Sequence, residues 1–162
     1  MSTTPKLDQS LVLRFARDYV YEAFIGPQQM QYTWFVGQQS DSALLPCIQT
    51  LNARQASKVL PGISRSIAAH VEHLRWHLAN VNHTMRGNPW QADWSQSWSV
   101  QVVDDAAWDK LQTNVRSETD ELVATLEKSV PPLDSMALQG LLAIGAHAAH
   151  HLGSIRILAR LV

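Results

Sequence analysis

Breaks rich in glycine and proline constrain this chain more than any other feature. Gly26-Pro27, Pro61-Gly62, Gly87-Asn88-Pro89 and Pro131-Pro132 interrupt it, and the long segments between them repeat apolar residues at helical spacing. The first helix is expected from Pro5 to Ile25, with Thr4 as N-cap, Pro5 in the first turn, and Leu7, Leu11, Val12, Phe15 and Tyr19 recurring along it. Residues 27–41 lack a clear period and read as a loop. A short helix is expected over Ser42 to Ala56, where Pro46 is tolerated in the first turn. A long helix follows from Ile63 to Arg86, its stripe formed by Ile63, Ile67, Val71, Leu74, Leu78 and Val81. Trp90, Trp94 and Trp98 then recur at intervals of four, but the surrounding Pro, Ser and Gln favour a loop packed by its indoles. Asp104-Asp105 suit the positive end of another helix, which carries Trp108, Leu111, Val115, Leu122 and Leu126. Asp134 caps the last one, Ser135 to Leu161. No strand alternation appears. The expectation is an all-α chain, a single domain over residues 1–162: a four-helix bundle with an extra short helix and a Trp-rich loop.

A chain of 162 residues, 46% hydrophobic, can bury a core of its own. Thirteen Lys plus Arg against 14 Asp plus Glu leave a net charge of −1, which excludes the basic field that nucleic acid needs. The start has no signal-peptide character and no apolar run is long enough to span a bilayer, so a cytoplasmic protein without membrane contact is expected. Cys47 is alone, which rules out an internal disulfide and a Cys-rich zinc site.

All seven histidines fall in two windows: His70, His73, His77 and His83 in the third segment, His147, His150 and His151 in the last. At about 100° per residue, His70, His73 and His77 share one helix face. His70 and His77 lie nearest the apolar stripe, and His73 sits at its edge. His83 falls near the helix end and faces solvent. His147 and His151 are superposed one turn apart on the side of Ile144, Ile155 and Leu158, with His150 turned away. An i, i+4 pair of imidazoles plus a third from another helix makes a three-nitrogen set for zinc, nickel or iron, with positions left open for water or substrate. Spacing leaves His70, His73 and His77 open as the third ligand. The lack of a Glu-x-x-His pair argues against a carboxylate-rich di-iron bundle.

The segments ISRSIAAHVEHLRWHL and AHAAHHLGSIR, with RGNPWQADWSQSW and VDDAAWDKLQ between them, resemble the DinB-like, or YfiT-like, superfamily of bacterial four-helix metal-dependent enzymes. The likeness extends from about Thr33 onward and is specific in its combination. It implies His73, His147 and His151 as the metal ligands, against the wheel's mild preference for His70 or His77. On this reading His77 becomes a supporting or substrate-contacting group and His70 a packed, hydrogen-bonded core residue. The resemblance also implies a divalent metal (Ni, Zn or Fe), a low-molecular-weight thiol as cosubstrate, a small electrophilic substrate, and thiol S-transferase, isomerase or hydrolase chemistry. Family members often pair as homodimers.

No general base is evident. Glu72 adjoins His73 in sequence but points to another face; Glu22 and Asp18 are better read as solvated surface than as walls of a site. Arg156 suits a surface salt bridge or dimer contact, and Cys47 a small buried hydrophobe. The tryptophans Trp76, Trp90, Trp94, Trp98 and Trp108 read as core and loop packing. The principal alternative is a non-catalytic metal-binding or structural bundle. A histidine phosphotransfer module, which needs one exposed His, and a haem-binding bundle fit less well.

Overall fold

The structure, a computed structural model, describes residues 8–27, 32–91, 93–128 and 130–162. Among them are six α-helices: α1 (Gln9–Phe24), α2 (Leu44–Gln49), α3 (Ala53–Ala56), α4 (Ile67–Met85), α5 (Asp105–Leu126) and α6 (Ser135–Ala159). The four long ones pack as a bundle in which α1 lies against α5 and α6, and α4 against the same two.

Hydrogen bonds give the directions. Ser66, at the start of α4, bonds to Gln101 just before α5, while Asn82 near the end of α4 bonds to Glu118 late in α5. The two helices therefore run parallel. His70 and His77 of α4 meet His151 and His147 of α6 in reverse order, so that pair is antiparallel. At one end of the bundle the Gln9 side chain donates to the carbonyls of Val130 and Pro131 and accepts from the Leu133 amide, tying α1 to the α5–α6 connection. A parallel α4–α5 pair requires the intervening chain to travel back along α4, and this return carries the tryptophans over its histidine face. Part of it, Trp94–Trp98, is a 3-10 helix rather than the loop expected. The Asp93 side chain caps that turn by accepting from the Ser95 amide.

Capping side chains place the helix ends. The helix expected from Pro5 begins, where it is described, at Gln9 with Asp8 as cap; Thr4, Pro5 and Leu7 lie outside the described residues. Its buried face is Val12, Leu13, Ala16, Val20 and Phe24, which leaves the expected stripe residue Phe15 exposed. The single short helix expected over 42–56 is two, because Asn52 is extended and forms a capping box with Gln55. Pro46 lies in the first turn of α2. The expected start of α4 at Ile63 moves to Ile67, since the Ser66 hydroxyl accepts the Ala69 amide and Ile63 stays exposed. Gly87, with φ of +86°, ends α4 in the left-handed region that glycine adopts without strain. Asp104 and Asp134 cap α5 and α6 as expected.

Phe24, Ile48, Leu74, Trp108, Leu122 and Leu152 fill the core, and the Trp108 indole donates to the Leu51 carbonyl. α1 and α6 approach closely at Gly145, where a Cβ would stand 2.5 Å from the Tyr19 Cβ. No helix among the described residues is long and apolar enough to cross a membrane.

Candidate metal centre

Because α4 and α6 are antiparallel and in contact, their two histidine rows face each other. His73 and His151 are buried and His147 is half-buried. Their ligating nitrogens lie within 4.8 Å of one another. His147 Nε2 is 3.0 Å from His73 Nε2 and 3.1 Å from His151 Nε2.

Each of the three rings also has a partner at its other nitrogen. The Ser97 hydroxyl donates to the Trp94 carbonyl at 2.6 Å, so it accepts from His73 Nδ1–H at 2.8 Å. That proton leaves the His73 Nε2 lone pair free. His147 Nδ1 lies 2.8 Å from His77 Nδ1, and His151 Nδ1 lies 3.0 Å from His70 Nδ1. When the outer ring accepts in each pair, His147 and His151 also present bare Nε2 atoms. Metal-binding histidines are ordinarily oriented by such a bond from their second nitrogen.

Burial, more than any neighbouring charge, disfavours protonation here. His73 is pushed down to about 4, with the His147 imidazole as a lesser cause. His151 and His77 fall to about 3, again through burial first and neighbouring histidines second. His70 and His147 are lowered for the same leading reason. At neutral pH the cluster is therefore uncharged, as imidazole ligands must be. In that tautomer set the lone pairs facing each other at 3.0 and 3.1 Å are relieved by a cation among them. Those separations suit nitrogens that are each about 2.1 Å from one ion. The donor set fits a divalent metal.

Tryptophans roof the cluster. Trp98 stacks on His73 with centroids 4.0 Å apart and planes 13° from parallel, and it also meets His70 and His151 edge-on. Trp94 packs on His73, His77 and Trp76. Trp90 meets the edge of His77. The indoles thus cover the histidines more than they fill the general core, a placement that packing alone did not suggest. The Arg65 guanidinium lies over Trp98, 4.9 Å from the ring centre.

The structure brings together His73, His147 and His151, the three implied by resemblance, and seats His73 deeper than the stripe-facing His70 and His77. His77 lies against His147, outside the three-nitrogen set. His70 is half-buried against His151 instead of being packed in the core. His150 is exposed as expected, whereas His83 is half-buried rather than solvent-facing. Ser97 escaped notice in the sequence, because a serine among serines and glutamines carries no signal of its own.

The acidic residues lie elsewhere. Glu72 is buried, but both its oxygens pair with Arg75 at 2.7 Å. Glu22, expected at the surface, is buried: one oxygen accepts the amides of Trp34, Phe35 and Val36 at 2.6, 2.6 and 3.2 Å. It ties residues 34–36 to α1 and is no wall of the site. Asp18 pairs with Arg17 at the surface. Arg156 lines a small cavity of about 120 Å³ with Asp41, Cys47 and Arg160, and forms no ion pair among the described residues. Cys47 is buried, which raises its thiol pKa and makes it a poor nucleophile.

In comparisons with known proteins, no family model, no curated protein and no solved structure matches the chain, so what is established is an all-helical bundle with a buried three-histidine cluster able to hold a metal.

Proposed function

We propose that this chain is a divalent-metal-dependent enzyme of the DinB-like kind, holding nickel, zinc or iron on His73, His147 and His151. Its reaction is a thiol S-transfer, isomerisation or hydrolysis at a small electrophile. One observation carries the reading: three Nε2 atoms converge while each Nδ1 is held by a separate neighbour, Ser97, His77 or His70. A chance cluster of core histidines has no reason to orient all three rings alike. Bound there, an ion supplies Lewis acidity and lowers the pKa of a water or thiol that it takes up.

The chain's own residues do the rest. Ser97, His70 and His77 hold the rings in orientation, and the stacked Trp98 excludes water from one side of His73. Three protein ligands leave open positions, the mark of catalytic rather than structural sites. A second reading, a metal-binding bundle without turnover, is favoured by the absence, among the described residues, of any carboxylate from the cluster. A phosphotransfer role, which needs a lone exposed His, is disfavoured because His73, His147 and His151 converge on one another.

The test is elemental analysis of protein purified without a His tag. Near-stoichiometric metal is expected, with loss in His73→Ala, His147→Ala and His151→Ala. Pure, folded protein that refuses every added divalent ion would overturn the reading. Turnover of an electrophile with a low-molecular-weight thiol, abolished by chelator, separates the enzyme from the non-catalytic binder.

A further inference from the structure

The groove between α4 and α6 does not end at the histidines. Beyond His77, away from His70, it opens into a cavity of about 430 Å³, within the range of small-molecule sites. Val81 and Met85 continue the α4 face that carries His77, and Gly140 and Ile144 continue the α6 face that carries His147. Trp90 closes one side. His77 is the shared wall: its ring lines the cavity and its Nδ1 lies 2.8 Å from Nδ1 of His147.

The lining is almost wholly apolar, and it includes no Lys or Arg. Its one acidic residue is Asp134, the cap of α6, in an exposed position. A wall of this kind offers nothing to a carboxylate or phosphate, and a neighbouring carboxylate repels anions. Burial of carbon against Val81, Met85, Ile144 and the Trp90 ring is what it can reward.

We infer that this cavity is the substrate-binding pocket of the histidine site, and that its ligand is a small uncharged aromatic or aliphatic molecule whose reacting end lies toward His77. The inference rests on the proposed metal site for its catalytic meaning, but the pocket can be tested apart from it.

Gly140 provides the means. Gly140 lines the cavity and a Cβ built there meets nothing within 4 Å, so Gly140→Leu adds bulk at the cavity wall from a backbone position with room for it. Leu also favours a helix over Gly, which keeps the fold safe. Gly153 lies on the same helix, is equally open and is not part of the cavity lining, so Gly153→Leu is the control.

The probe is N-phenyl-1-naphthylamine, uncharged and fluorescent in apolar surroundings, read by its own emission and by energy transfer from tryptophan. Binding is expected in the native protein and in Gly153→Leu. In Gly140→Leu it should weaken about tenfold, the effect of denying a few methylene-sized contacts to an apolar ligand. The sulfonated analogue, 8-anilinonaphthalene-1-sulfonate, should bind more weakly than the neutral probe. Equal probe affinity in the two glycine variants, or no binding to folded native protein, would overturn the inference. Metal content measured on the same samples keeps the two proposals apart. Probe binding without metal uptake removes the metal reading alone, and metal uptake without probe binding removes the apolar pocket alone.

Discussion

Ser97 illustrates how much a single hydroxyl can decide. It receives the His73 Nδ1 proton because its own proton is committed to the Trp94 carbonyl. Ser97→Ala leaves that ring donor without its acceptor, and metal affinity should fall by about 10- to 100-fold, as for other groups that orient a ligand. Competition against a chelator of known affinity measures this, and Ser97→Thr should restore most of the loss. Glu22 makes the opposite case, a buried carboxylate that serves structure only. Glu22→Ala strands three backbone amides and should cost about 2 kcal/mol or more in denaturant unfolding, with metal content unchanged.

The histidines also set a pH dependence. In metal-free protein the folded state holds His73 at about 4 and His77 and His151 at about 3, against an ordinary value of 6.5. Between those limits the unfolded chain binds protons that the folded chain does not, so stability rises with pH there. The full stability is present above about pH 6.5 and is lost as pH falls toward the folded values. Asp8 and Asp93 have folded pKa values lowered from 3.8, so they act only at the acid end of this range. Melting temperatures in chelator, taken at descending pH, should decline through this window; a flat profile would contradict the buried neutral cluster.

At the scale of elements, helix ends and helix contacts obey different rules. Asp104 and Asp134 act as N-caps where a capping residue precedes an apolar period, because that interaction spans three residues. Asn52 and Ser66 follow the same chemistry, yet each lies inside a segment that reads as one helix; the Asn52–Gln55 pair was visible as Asn-x-x-Gln. The Trp94–Trp98 turn was not legible, since the 3-10 form depends on its seat against α4. Contacts between elements bring a further expectation. Gly145→Ala places a methyl against Tyr19 at the α1–α6 crossing and should destabilise by about 1–3 kcal/mol, read as a lower denaturant midpoint.

Across the whole molecule, the proposed metal on His73, His147 and His151 would join α4 and α6, two helices far apart in sequence. Ligand bound only to the folded state raises its stability by mass action. Chelation should therefore lower the melting temperature of native protein, while a His73→Ala/His147→Ala/His151→Ala variant should show no chelator effect. The four-helix architecture, its main stops and the His147–His151 pair were set by the sequence itself, because helical period, capping and i, i+4 spacing act within a few turns of chain. The seating of His73 between α4 and α6, the service of Ser97, the burial of Glu22 and the apolar cavity beside His77 were decided only by tertiary structure. Those depend on which helices are neighbours and on their relative direction, and residues more than 70 positions apart reach hydrogen-bonding distance only when α4 and α6 lie antiparallel.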